Sequence, residues 1–282
     1  MSKIRIIPRL DVKGPNLVKG IHMEGLRVLG KPEYFAEYYY ENGADELFFQ
    51  DTVASLYDRN SLHDIISKTA KKIFIPLTVG GGLRSIDDLK NALRAGADKV
   101  AINTAAIKNP EFIREASRKF GSSTIVVAIE AIKDPNGTYL AYTDNGREYT
   151  GIEVISWAKK VEELGAGEIV ITSVDKEGTG EGFDVVLTKM ISDAVSIPVI
   201  AHGGCGSPAD CINIIQNANV DAVAIASVLH YNYILNAKHT GLYEEEGNTS
   251  FLKSGKTYGK INPCSIEDIK NALKLAEISV RL

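Results

Sequence analysis

Two carboxylates stand where carboxylates are costly to keep. Asp11 ends the apolar run IRIIPRLD (4–11), and Glu130 ends TIVVAIE (124–130). A salt bridge or a helix cap would account for either one alone. Their matching positions at the ends of two strand-like runs point instead to proton chemistry. Two carboxylates facing one substrate divide proton donation from proton abstraction once their surroundings drive their pKa values apart. Two glycine-rich turns, VGGG (79–82) and HGGCG (202–206), offer backbone amides that approach an oxyanion closely, each just ahead of a helix start. INTAA (102–106) and IASV (225–228) each add a hydroxyl beside backbone amides. Two such pairs predict two phosphate cradles, and a substrate phosphorylated at both ends would span them.

Runs of β-type residues supply the frame for these groups. They fall at 4–11, 46–51, 75–80, 99–103, 124–130, 168–174, 197–203 and 222–227, separated by amphipathic helical patterns. SIDDLKNALRAGA opens with Ser85 and carries Asp88 three residues on; SIEDIKNALKLAE repeats the device with Ser265 and Asp268. Eight strand–helix units predict an α/β fold, a single (β/α)8 TIM barrel with its active site at the C-terminal ends of the strands. VGGGLRS pairs with HGGCGSP, KVAINTAAI with AVAIASVLH and ADELFF with AGEIVI, each at a spacing of 122 or 123 positions. A shared spacing indicates a two-fold half-barrel internal repeat. The single domain therefore covers 1–282, with two segments outside the repeat. Residues 133–151 carry Asn136-Gly137 and Asn145-Gly146 and read as a hairpin insert. Residues 236–263 form a long insert beside the predicted catalytic mouth.

Bulk properties narrow the function. A net charge of −4 gives no general attraction to nucleic acid or anionic membranes. No apolar run is long enough to span a bilayer, and MSKIRIIPRL lacks a secretory h-region. Cys205, Cys211 and Cys264 make no CxxC pair, so neither a disulfide framework nor a zinc knuckle is expected. His22, His63, His202, His230 and His239 have no ligand spacing, and Trp157 reads as packing. A cytoplasmic protein without metal or cofactor is the expectation.

LDVKG, TVGGGLRS, ADKVAINTAA, FGSSTIVVAIE, GAGEIVITSVDKEGTGEGFD and IAHGGCG together resemble the cyclase subunit of imidazole glycerol phosphate synthase. The resemblance covers nearly the whole chain apart from the insert at 236–263. It implies a two-fold-repeat barrel joining ammonia, released by a partner glutaminase at the N-terminal face, to a doubly phosphorylated ribulosyl aminoimidazole carboxamide nucleotide. The implied products are imidazole glycerol phosphate and an aminoimidazole carboxamide ribotide. By position it implies Asp11 and Glu130 as catalytic residues and Lys19 on a mobile loop. Gly82, Asn103 and Thr104 fall on one phosphate site; Gly178, Gly204, Ala226 and Ser227 fall on the other. Arg5, Glu46, Lys99 and Glu168 match a charged ammonia gate at the barrel base.

Several positions depart from the family pattern. Glu130 stands in the place of an aspartate, Arg9 in that of a small cysteine and Gln50 in that of an apolar residue. Glu177 likewise replaces an aspartate, and His202 a serine. Strand alternation puts Arg9 on the inward face with Arg5 and Asp11. The expectation is that Arg9 hydrogen-bonds Glu130, with Gln50 in support. The insert carries Tyr243, Glu244, Glu245, Glu246, Lys253, Lys256 and Tyr258, where a lid reading another substrate would sit. These departures also fit relatives that channel ammonia to amidate a surface-polysaccharide or flagellar sugar nucleotide.

Overall fold

The computed structural model describes residues 3–52, 54, 63–236 and 250–281. Its strands, in chain order, are β1 (Arg5–Lys13), β2 (Asn16–Ile21), β3 (Glu24–Gly30), β4 (Leu47–Asp51), β5 (Leu77–Gly80) and β6 (Lys99–Ile102). They continue as β7 (Ile125–Lys133), β8 (Tyr139–Thr143), β9 (Glu148–Glu153), β10 (Glu168–Ser173), β11 (Val199–His202) and β12 (Ala222–Ile225). β1, β4, β5, β6, β7, β10, β11 and β12 pair in parallel, and the β7–β10 contact closes them into a barrel. The eight predicted runs are the eight barrel strands.

Alternation along each strand sorts side chains into two environments. On β1, Ile6, Leu10 and Val12 face outward into a core shared with the surrounding helices, while Ile7 faces the interior. Phe48, Ala101, Val126, Val170, Ile200, Ala222 and Ala224 complete that inner apolar cluster with Ile7. The helices seat on the outer face through stripes such as Leu89, Ala92 and Ala95, or Ile266, Ile269 and Leu273. Both predicted caps form: the Ser85 and Ser265 side chains accept from the Asp88 and Asp268 amides, and each aspartate returns a bond to its cap residue.

β1 and β7 are each nine residues long, against four to six for the other barrel strands. Their upper ends rise above the rim and pair with returning chain, β1 with the antiparallel β2–β3 ribbon and β7 with β8–β9. The segment at 133–151 thus has a counterpart in the first half of the barrel. The β2–β3 ribbon is not legible as strands because its alternation breaks at His22 and Met23, whose φ values of 53° and 61° turn the chain.

A buried ion pair ties the last helix to the chain just ahead of β4. Lys270 Nζ lies 2.9 Å from Asp45 Oδ1, and Asp45 Oδ2 accepts from the Ile6 amide at 2.8 Å. Lys270→Met would leave a buried carboxylate without its cation. The expected cost is about 3–5 kcal/mol, read as a lowered urea midpoint.

Candidate active site

A cavity of about 360 Å³ opens at the C-terminal mouth of the barrel. Gly82, Asn103 and Thr104 line it together with Gly81, Arg84 and Lys108. The three residues predicted for one phosphate site thus meet on an accessible cavity, with two cations that sequence reasoning did not single out. Glu130 lines the same cavity and accepts from the Gly146 amide at 2.8 Å. That amide comes from the β8–β9 turn, where Asp144 and Asn145 adopt φ values of 53° and 61°. Asn145-Gly146 was legible as a turn dipeptide, but nothing in the sequence said that the turn folds back onto Glu130. Burial pushes the Glu130 carboxyl up to about 7, although the Gly146 amide, Arg9 and Asn103 oppose the shift. A carboxyl of this kind carries a proton for much of the time at neutral pH.

Asp11 sits differently. It does not line the cavity, because Arg9 and Lys19 cover it: Arg9 Nε is 3.0 Å from Oδ1 and Lys19 Nζ is 3.6 Å from Oδ2. Burial alone would raise its carboxyl, but the two cations outweigh that and hold it below the usual aspartate range. Asp11 is thus an ionised base candidate and Glu130 an acid candidate, set apart by their surroundings.

Arg9 does point inward, as strand parity requires, but it bonds Asp11 rather than Glu130. Its Nη1 lies 3.1 Å from His202 Nδ1 and 3.4 Å from Thr172 Oγ1. Gln50 lines the cavity and donates to the Asp51 carbonyl at 3.4 Å, so it supports neither group. Asp11 wins the arginine because it lies two positions along the same inward face of β1, while Glu130 has the Gly146 amide.

The residues predicted for the second phosphate site also meet, but around a closed space. Gly178, Gly204, Ala226 and Ser227 line a space of about 10 Å³ with Lys19, Glu177, His202, Gly203 and Cys205. That is room for roughly one water, not a phosphate. The β2–β3 ribbon fills it. Lys19 hydrogen-bonds Glu177, which also accepts from the Met23 amide at 2.8 Å, and the His22 amide donates to the Glu177 carbonyl at 2.8 Å. Gly178 has φ 74°, and a Cβ there would stand 2.5 Å from the Gly20 carbonyl oxygen. Only glycine permits the ribbon to close this far.

The described part of the 236–263 insert roofs this side of the mouth. Lys260 N donates to the Thr179 carbonyl at 2.7 Å and Asn262 N to the Gly206 carbonyl at 2.8 Å. Tyr258 stacks on Phe251 and holds the Arg27 guanidinium of β3 4.1 Å above its ring. Tyr243, Glu244, Glu245 and Glu246, counted among the lid residues, lie outside the described residues, as does His239.

At the opposite end, the four predicted gate residues meet in one ring. Arg5 bonds Glu46 at 2.9 Å and also pairs with Glu168. Lys99 reaches Glu46 at 3.1 Å and Glu168 at 3.0 Å. Glu46 takes a further bond from the Thr78 hydroxyl at 2.7 Å. The ring closes the floor, and the inner apolar cluster lies between it and Arg9, whose guanidinium stands 5.5 Å from the Phe48 ring. Among the described residues, no group of three or more His, Cys, Asp or Glu is placed to hold a metal ion, and no helix is long and apolar enough to cross a membrane.

The model of the family described as histidine biosynthesis protein matches residues 5–234, ending just before the insert. The imidazole glycerol phosphate synthase subunit HisF of Legionella pneumophila is 59% identical over 206 residues, covering 73% of this chain and 97% of that protein. The chain belongs to the cyclase subunit family of imidazole glycerol phosphate synthase. The HisF subunits of Methanocaldococcus jannaschii and Bacillus cereus (strain Q1) are 49% identical over 246 residues and 51% over 227. Each of these alignments covers 80% of this chain and 90% of the relative.

Proposed function

We propose that the chain is the cyclase subunit of imidazole glycerol phosphate synthase in histidine biosynthesis, with Asp11 as base and Glu130 as acid. The observation that carries this division is the contrast in surroundings: Glu130 is buried at the cavity with one amide, which pushes its carboxyl up to about 7, while Asp11 lies between Arg9 and Lys19, which hold it below its ordinary range. Ammonia would add to the doubly phosphorylated ribulosyl nucleotide between them, yielding imidazole glycerol phosphate and the aminoimidazole carboxamide ribotide, a cyclase of the lyase class. Gly82, Asn103 and Thr104 hold one phosphate, with Arg84 and Lys108 near it. Gly178, Gly204, Ala226 and Ser227 hold the other once the β2–β3 ribbon lifts, and Lys19 then serves the substrate.

A glutaminase subunit supplies the ammonia, docking at the N-terminal face where Arg5, Glu46, Lys99 and Glu168 form the gate. The sugar-nucleotide alternative draws no support from the relatives named above. Purified protein with ammonium and the ribulosyl nucleotide should form imidazole glycerol phosphate, and glutamine should replace ammonium only when a glutaminase subunit is added. Absence of turnover at saturating ammonium would sink this reading.

The gate carries its own prediction. In Arg5→Ala, Lys99 still holds both Glu46 and Glu168, so the barrel should remain folded. Glutamine-driven turnover should fall by about tenfold, or about 1.4 kcal/mol, while ammonium-driven turnover is retained. Equal losses in the two assays would deny the ring a role in ammonia entry.

A further inference from the structure

Arg9 is a charged side chain that crosses the barrel just above its apolar interior. It starts on β1, yet its guanidinium reaches Thr172 on β10 and His202 on β11, past the intervening β12. Its side chain is 3% exposed, so it lacks the water that would otherwise solvate the charge. A buried guanidinium persists only where its donors are used. Nε is bonded to Asp11, Nη1 is shared by Thr172 and His202, and Arg9 also lines the substrate cavity beside Glu130.

These bonds determine more than location. Arginine has no acceptor, so its bond to His202 takes the Nδ1 lone pair and leaves the proton on Nε2; the Thr172 hydroxyl, also 3.1 Å from Nδ1, is compatible with that tautomer as a donor. Burial, then Arg9 and Lys19, push the His202 imidazole well below its ordinary range, consistent with a neutral ring. His202 in turn lines the second anion cradle. One guanidinium therefore orients the base on one side and a cradle residue on the other.

We propose that Arg9 is a positioning residue for the cyclisation, holding Asp11 in place as base and setting the tautomer of His202 at the second phosphate cradle. The proposal rests on the functional reading above and adds a residue to it. The charged and titratable groups around Asp11 are Arg9 on its own strand, Lys19 from β2 with Glu177 behind it, and His230 from the helix Ser227–Asn236. His230 is pushed down to about 3 by burial and Lys19, so it stays neutral across the working range. Among the described residues, Lys19 and Arg9 are then the two cations acting on the Asp11 carboxyl.

The test uses Arg9→Met, which keeps the apolar stem without charge or donors, and Arg9→Lys, which returns a point charge. Turnover is measured against pH and substrate concentration at saturating ammonium. In Arg9→Met, kcat should fall by about 10–100-fold and KM for the nucleotide should rise, on the scale of lost orienting contacts. Activity requires ionised Asp11, so the acidic limb of the pH profile should move to higher pH when the cation is removed. Arg9→Lys should restore the limb but not the KM. An acidic limb and KM unmoved in Arg9→Met would overturn the proposal.

Two spectroscopic readouts work without turnover. ¹³C titration of the Asp11 carboxyl should move upward in Arg9→Met, and ¹⁵N shifts of His202 should show the Nε2–H tautomer in the unmodified protein and a mixture in Arg9→Met, where no cation donates to Nδ1. If the unmodified protein fails to turn over but these shifts occur, the cyclase reading fails while the positioning role stands. If Arg9→Met does not fold, Arg9→Lys decides: a KM for the nucleotide equal to that of the unmodified protein overturns the proposal.

Discussion

Glu130→Gln should lower kcat by about 10²–10⁴-fold, the range for loss of a general acid, and at the same time make the protein more stable at pH 8. The two effects share one cause. The Glu130 carboxyl is raised from 4.5 to about 7 by burial, so the folded protein holds a proton that the unfolded chain has released. Stability tied to this group is full below pH 4.5 and is lost as pH rises through about 7. By pH 8 the loss amounts to up to about 3 kcal/mol, since each pH unit between the two values corresponds to about 1.36 kcal/mol. Glutamine keeps the shape and an acceptor for the Gly146 amide but never ionises. Urea unfolding at pH 5 and pH 8 should show the variant gaining on the unmodified protein at the higher pH. The basic limb of kcat, expected near pH 7 as the acid loses its proton, should vanish from the residual activity. A variant that keeps both its activity and the pH dependence of its stability would remove Glu130 from the mechanism.

Asp11→Asn should also cost about 10²–10⁴-fold in kcat, but with stability moving the other way. The substitution takes a buried negative charge from between Arg9 and Lys19. Lys19 retains Glu177, while Arg9 is left with the neutral Thr172 and His202. Breaking a buried pair from one side typically costs about 3–5 kcal/mol. Because the folded Asp11 carboxyl lies below its unfolded value of 3.8, its contribution is present above that pH and disappears as pH falls through the folded value. The gap between Asp11→Asn and the unmodified protein should therefore be wide at pH 7 and close in strong acid. Equal urea midpoints at pH 7 would mean that the Arg9–Asp11–Lys19 cluster does not exist in solution.

Much of the site was legible because it follows from short-range rules. Period-2 alternation put Arg5, Arg9 and Asp11 on one face of β1, and Glu46 and Gln50 on one face of the second predicted strand. The capping residues Ser85 and Ser265 marked helix starts through contacts three residues away. Gly82 and Gly204 followed from the need for close backbone approach, whereas Gly178 came only with the family resemblance. The acceptor chosen by Arg9 did not follow from such rules. Parity offered it the whole barrel interior, where Asp11, Glu130, Thr172 and His202 all carry acceptors.

Sequence alone determined the barrel, its duplicated halves and the level at which each acid stands, while the charged floor came with the family resemblance. Strand faces and caps depend on patterns read within a few residues of one another, and the duplication on motifs that recur 122 or 123 positions apart. Tertiary structure decided which charges meet: Arg9 with Asp11, Lys19 with Glu177, and a turn amide with Glu130. Lys19 and Glu177 are 158 positions apart, and Arg9 and His202 are 193 apart. Whether such groups pair is settled by separations of an ångström across a closed sheet, since hydrogen bonding and desolvation change steeply over that distance. A one-dimensional pattern gives the face on which a side chain lies, but not the distance to the far wall.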